Sequence, residues 1–121
     1  NISTAYSSDK GLTWSKMALM KNLPNNNSGI DAVTLQDGRH ILIYNDFSSL
    51  DGTPKGPRNP LCVAISNDGQ VWKKVLTLED SPIKEYSYPA VIQGKDGEIH
   101  IVYTWRRQRI KHIVIDPGKI E

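Results

Sequence analysis

The chain repeats itself at a spacing of 59 positions, and this repeat limits the possible folds more than any other feature of the sequence. Proteins with such repeats stack one small structural unit against the next. A chain of 121 residues holds about two units of this length. The matched positions are Ser7 and Ser66, Asp9 and Asp68, Asp37-Gly38 and Asp96-Gly97, and Tyr44 and Tyr103.

Each unit contains the pattern of a β-hairpin. Residues 31–44 and 90–103 share one apolar pattern around Asp-Gly, which predicts a strand, a two-residue turn and a second strand. Two further strands complete each unit, at 61–66 and 71–78 in one copy and at 2–7 and 12–17 in the other. Because no stretch of ten or more residues keeps a helical period, we predict an all-β protein with about nine strands.

Radial repetition of four-stranded antiparallel sheets is typical of a β-propeller, a ring of roughly 4 to 8 such sheets, called blades. Two units cannot close a ring, so the chain is predicted to be a fragment of about two blades, or identical chains assemble the ring. We expect residues 1–26 to end one blade, 27–81 to form a complete blade and 82–121 to start the next. The expected partners are the remaining blades, from the same parent chain or from other copies, and an isolated chain is expected to expose apolar blade faces.

Composition excludes several other classes of protein and site. The net charge of +2 is too small to indicate nucleic acid as a partner. The apolar runs are too short to span a membrane. A single cysteine, Cys62, excludes an internal disulfide and a cysteine zinc cluster but leaves the compartment open. The three histidines, His40, His100 and His112, show no metal-ligand spacing, so neither a metal nor a cofactor is predicted.

Two turns carry the pattern Ser-x-Asp-x-Gly-x-Thr-Trp, complete at residues 7–14 and one residue shorter at 66–72. They resemble Asp-boxes, in which serine and aspartate oxygens accept hydrogen bonds from turn amides, glycine tolerates a positive φ, and the indole covers the turn. Catalysis or calcium binding by the aspartates is the less favoured alternative, because isolated carboxylates seldom hold a metal. We therefore predict structural roles for Ser7, Asp9, Gly11, Trp14, Ser66, Asp68, Gly69 and Trp72.

Residues 28–105 resemble the sialidase (neuraminidase) superfamily, whose members are six-bladed Asp-box propellers. In that family an arginine lies eight residues before an Asp-box serine, as Arg58 does before Ser66. The family's tyrosine nucleophile opens the next blade, and alignment on Asp96-Gly97 places Tyr88 there. Residues 88–93 and 105–110 are more similar to the uncharacterised sialidase-like group.

Chain direction predicts that four candidate residues share one face of the sheets. In a four-stranded antiparallel meander, alternate connections lie at the same end, so the Asp-Gly turns and Asp-boxes fall at one end. Asp31, Arg58, Tyr88 and Arg106 fall at the other. The resemblance implies that Tyr88 is the nucleophile and that Arg58 binds the carboxylate of an acidic sugar. We expect Asp31 and Arg106 to contact substrate.

Structural roles are the alternatives for the same four residues. Tyr88 can cap a strand before Pro89, and Arg58 can pair with an acid of its loop. Asp31 can cap a turn, and Arg106 belongs to a basic stretch of the kind that is usually solvated.

The resemblance implies a part of a glycoside hydrolase acting on sugar glycosides, with the fragment itself inactive. The family's other catalytic groups belong to blades that we expect this chain to lack. The alternative is a non-catalytic propeller that binds carbohydrate or protein, which is favoured by Thr104 at the position of a family glutamate. The resemblance is compatible with a secreted or periplasmic protein.

Overall fold

A computed structural model describes residues 1–48, 56–83 and 85–121, and the strands in this part form three antiparallel sheets. The first sheet pairs β1 with β2, the second has the order β3-β4-β5-β6, and the third has the order β7-β8-β9. This architecture confirms the all-β prediction, while the ring and its number of blades stay predictions. The strands are β1 (Ser3–Thr4), β2 (Ala18–Leu19), β3 (Asp31–Thr34), β4 (His40–Asn45), β5 (Leu61–Ser66), β6 (Lys73–Glu79), β7 (Tyr86–Gln93), β8 (Ile99–Trp105) and β9 (Arg109–Ile115), followed by a short 3-10 turn at Pro117–Lys119.

The two Asp-Gly turns have the same geometry. Gly38 and Gly97 have φ of +91° and +89°, a conformation that glycine adopts without steric cost. Each amide donates to the carbonyl three residues earlier, at 3.0 Å in both turns. The β3–β4 and β7–β8 hairpins are therefore two copies of one local structure, as the repeat predicts.

The central sheet is buried on both faces. Side chains on one face of β4 and β5, such as Ile43 and Val63, pack in a cluster that extends to Ile101 of the third sheet. Side chains on the opposite face, such as Tyr44 and Cys62, pack against residues near the first sheet. Burial on both faces explains why these two strands are apolar almost without interruption.

The third sheet leaves one face open. Four apolar side chains of its strands are exposed: Ile92, Val102, Ile110 and Val114. They alternate with buried residues in β7 and β8 and with half-buried ones in β9. Such a face is what we expect of a stacked unit without its next neighbour. That another blade covers it stays a prediction.

The first sheet is shorter than expected. The predicted strand at 2–7 is wrong in extent, since β1 has only two residues, and the one at 12–17 is wrong in position, since β2 lies at Ala18–Leu19. The reason is that residues 7–14 form a turn held by side-chain hydrogen bonds, which replace the strand ladder. In the second Asp-box, β6 likewise begins at Lys73, two residues after the predicted start.

Within the described residues, no helix is long and apolar enough to cross a membrane. Part of the predicted long connection at 46–59, namely residues 49–55, lies outside the described residues.

Candidate functional site

Four predicted site residues lie at the same end of the second and third sheets. Asp31 begins β3 and Arg58 precedes β5, while Tyr88 lies near the start of β7 and Arg106 follows β8. Because neighbouring strands are antiparallel, these positions share one end, and the turn at Asp37-Gly38 lies at the other. A backbone hydrogen bond of 2.8 Å from Tyr86 to the Arg58 carbonyl joins the two sheets at this end.

The Arg58 guanidinium stacks on the Tyr88 ring, with its central carbon 5.0 Å from the ring centroid. Interaction with the Tyr88 side chain is the main cause that raises the pKa of Arg58 above its usual value. In the described part of the chain, the Arg58 Nη1 nitrogen is buried without a hydrogen-bond acceptor. The structure therefore brings the two candidate residues together and leaves part of the arginine's donor capacity unused.

A break in the β7 ladder turns Tyr88 outward. The pairing of β7 with β8 shifts register between Ser87 and Ala90, and Tyr88 has a positive φ of 52°. Pro89 explains the break, since proline has no amide to donate to the ladder. The Tyr88 side chain is consequently 66% exposed, although its neighbours in the strand are buried.

A polar cavity of about 560 Å³ opens beside Arg58. Its size is within the range of pockets that hold small ligands. The Asn26 amide, which donates to the Gly56 and Pro57 carbonyls, shapes one wall. The polar lining includes Asn26, Ser28, Arg58, Asn59, Glu85 and Arg107. A larger groove of about 640 Å³ lies on the open face of the third sheet, away from Arg58, and has a mainly apolar lining.

Asp31 and Arg106 make contacts within the protein. An Asp31 carboxylate oxygen accepts the Val91 amide at 2.8 Å, which links β3 to β7 just beyond the ladder break. The Arg106 guanidinium carbon lies 4.4 Å from the Trp105 ring centroid, and Arg106 also donates to the Tyr86 hydroxyl at 3.4 Å. These contacts fit supporting roles, and direct contact of either residue with substrate stays a prediction.

Asn45 is a residue that we did not single out from the sequence. It is fully buried, and its side-chain amide donates to the Tyr86 carbonyl at 3.0 Å and the Pro60 carbonyl at 3.2 Å. Its Oδ1 accepts a hydrogen bond of 2.8 Å from Ser28. The only signal in the sequence is a polar residue at the end of the apolar run Ile41–Tyr44, and Asn45 fixes the Arg58 segment against β7.

The first Asp-box is held by its own side chains. Ser7 Oγ accepts the Gly11 amide and donates to Asp9, both at 2.8 Å. Asp9 accepts the Thr13 amide at 2.9 Å and its hydroxyl at 2.5 Å, and the Trp14 indole donates to the Gly11 carbonyl at 3.1 Å. These contacts support a structural role.

The second Asp-box repeats this network. Ser66 Oγ accepts the Gly69 amide at 2.9 Å, and Asp68 accepts the Val71 amide at 2.8 Å. The Trp72 indole donates to the Gly69 carbonyl at 3.2 Å and is only partly buried against the apolar cluster behind it. Both boxes lie at the end of the sheets opposite Arg58.

We expect the first Asp-box to make the chain less stable at acidic pH. Hydrogen bonds from Thr13 lower the pKa of Asp9 to about 2. The pKa of an aspartate in an unfolded chain is about 3.9. The stabilisation by Asp9 is therefore complete above pH values of about 3.9 and is lost as the pH falls toward about 2. Thermal unfolding at pH values between about 2 and 6 should therefore show a weaker pH dependence in Asp9→Asn and Thr13→Val than in the original chain. An unchanged pH dependence in both variants would contradict this role.

Comparison with known protein families places the chain in one family. A family model for the BNR repeat-like domain matches residues 1–101. The match includes both Asp-boxes, Arg58 and Tyr88, and is consistent with a sialidase-like or related β-propeller family. Comparisons with curated proteins and with solved structures found no match. Since the family model covers most of its length, the chain belongs to the BNR repeat-like family.

Proposed function

We propose that this chain is part of a sialidase-like glycoside hydrolase and that Arg58 and Tyr88 contact an acidic sugar. The observation that carries the proposal is the pairing of an arginine that has an unused buried donor with an exposed tyrosine ring, beside a polar cavity. By itself the chain is proposed to have no activity, with the remaining catalytic groups supplied by other blades.

The chemistry of the pair suits a sugar carboxylate. A guanidinium presents a planar pair of donors that matches a carboxylate, and such charged hydrogen bonds are stronger than neutral ones. The proposal requires the exposed Tyr88 ring, which stacks on Arg58, to move aside so that the carboxylate reaches the guanidinium. The adjacent polar cavity is proposed to hold the sugar hydroxyls.

The Tyr88 hydroxyl fits the nucleophile of a sialidase-type reaction. Sialidases are the exception to the use of two carboxylates in glycoside hydrolysis, because their nucleophile is a tyrosine. A tyrosine attacks only after a neighbouring base takes its proton. In the described residues no carboxylate is hydrogen-bonded to Tyr88, so that base is proposed to come from another blade.

A non-catalytic propeller that binds carbohydrate or protein is the second candidate. It is favoured by Thr104, which pairs with Ser87 in the β7–β8 ladder where the resemblance to sialidases would place a glutamate. Under this alternative Arg58 and Tyr88 still bind a ligand, but no bond is broken. The two candidates therefore share the binding test and differ only in the kinetic one.

We predict that Arg58→Ala weakens binding of N-acetylneuraminic acid by about 1.5 to 3 kcal/mol, the usual loss for a charged hydrogen-bonding partner. Titration of the chain followed by nuclear magnetic resonance measures the affinity. The control is Arg109→Ala, which removes an exposed arginine from the third sheet and should leave the affinity unchanged. The methyl ester of the sugar lacks the negative charge of the carboxylate. Its affinity for the original chain should therefore be no higher than the affinity of the acid for Arg58→Ala. Equal affinities of Arg58→Ala and the original chain would count against a carboxylate clamp at this position.

A further inference from the structure

Acidic side chains and histidines meet at the Asp-Gly turn end of the third sheet, remote from Arg58. We propose that Asp96, Glu98 and His100 bind one divalent transition-metal ion of the zinc class and that His112 orients the His100 imidazole. This site does not depend on the proposed glycosidase function, because it shares no residue with the Arg58 end of the sheets.

Local structure explains why the first three side chains meet. Asp96 and Glu98 flank the turn glycine Gly97, and His100 follows two residues later in β8. Residues two apart in a strand project to the same face. The ligand atoms of Asp96, Glu98 and His100 lie within 4.8 Å of one another.

His112 holds the His100 imidazole from the neighbouring strand. Its Nε2 nitrogen lies 3.1 Å from Nδ1 of His100, and the two rings stack with their centroids 5.3 Å apart. The β8–β9 register explains this contact, since His112 is paired with Val102, two residues from His100. Sequence spacing does not show this pair, because the two histidines belong to different strands.

The absence of a side chain at Gly94 leaves room for the ligands to converge. A Cβ atom at this position would lie 2.5 Å from an Asp96 carboxylate oxygen and 3.2 Å from Nε2 of His100. The carboxylate and the imidazole therefore approach the space that a side chain would fill. The groove on the open sheet face includes Gly94, Asp96, His100 and His112 in its lining.

The donor set suits zinc or a similar ion. Imidazole nitrogens and carboxylate oxygens bind Zn²⁺ at about 2.0 to 2.2 Å, so neighbouring ligand atoms of a tetrahedral site lie about 3.3 Å apart. Nε2 of His100 faces the Asp96 carboxylate beside Gly94 and is the proposed nitrogen ligand, while Nδ1 is held by His112. Asp96 and Glu98 are exposed, so rotation of their side chains can close the remaining distance, and their two negative charges balance the ion.

Titration of the 121-residue chain with Zn²⁺ by calorimetry tests the proposal. We expect one ion per chain and a higher melting temperature with Zn²⁺ than with a chelator. His100→Gln, Asp96→Asn, Glu98→Gln and His112→Gln should each weaken binding by at least about tenfold. Glu98 is an exposed turn residue, so its variant keeps the test valid if a strand variant fails to fold.

His40→Gln is the matched control, because His40 lies in the second sheet and contacts Thr34. Its Zn²⁺ affinity should equal that of the original chain. With Co²⁺ in place of Zn²⁺, visible absorption bands that disappear in His100→Gln would support nitrogen ligation. Absence of saturable binding, or an unchanged affinity in both His100→Gln and Glu98→Gln, would overturn the proposal. An unchanged affinity in His112→Gln would exclude an orienting role for His112.

Discussion

Asn45→Ala is expected to lower the free energy of unfolding by about 3 kcal/mol or more, because it leaves several buried polar groups without partners. Asn45 is fully buried and bridges Ser28 to the carbonyls of Pro60 and Tyr86. Alanine cannot replace any of these hydrogen bonds, and the segment that carries Arg58 loses one of its links to β7. Chemical denaturation of the chain and its variant measures the difference.

Asn67→Ala is the matched control for this prediction. Asn67 is exposed in the second Asp-box, and substitutions at such surface positions usually change stability by less than about 0.5 kcal/mol. If Asn45→Ala were as stable as Asn67→Ala, the buried network would not hold the two sheets together.

Tyr88→Phe is expected to lower the turnover of an active protein containing this chain by several orders of magnitude. Only the hydroxyl is removed, so the ring that stacks on Arg58 remains and the melting temperature should not change. Steady-state kinetics with an aryl glycoside of N-acetylneuraminic acid measures the loss of rate.

Tyr6→Phe is the control for the kinetic prediction. The Tyr6 hydroxyl donates to the Gly69 carbonyl at 3.1 Å, at the Asp-box end of the molecule, so its removal should leave turnover unchanged. Full activity in Tyr88→Phe would exclude Tyr88 as the nucleophile and favour the non-catalytic propeller.

The sequence predicts the parts of this fold that depend on local residue order. Alternating apolar residues around Asp37-Gly38 and Asp96-Gly97 were enough to predict both hairpins, since turn chemistry and strand period agree there. The Asp-box turns were also predictable, because their hydrogen bonds join residues only a few positions apart. The short strands β1 and β2 were not, because the same side-chain bonds take the place of the expected ladder.

Contacts between distant residues limit what the sequence predicts about the site. Chain direction was enough to place Arg58 and Tyr88 at the same end, but not to predict that their side chains stack. The stack depends on the ladder break at Pro89, which turns Tyr88 outward. The buried role of Asn45 and the contact between His100 and His112 likewise depend on the pairing of sheets and strands, which no local pattern in the sequence specifies.

The most direct test of the proposed site is amide chemical-shift mapping of the isotope-labelled chain during titration with N-acetylneuraminic acid. The account predicts that the largest changes fall at Ser28, Gly29, Arg58 and Tyr88, while the Asp-box amides of Gly11 and Gly69 do not move. The methyl ester of the sugar should produce much smaller changes at the same residues. Changes confined to the Asp-box end, or none at saturating sugar, would contradict the account.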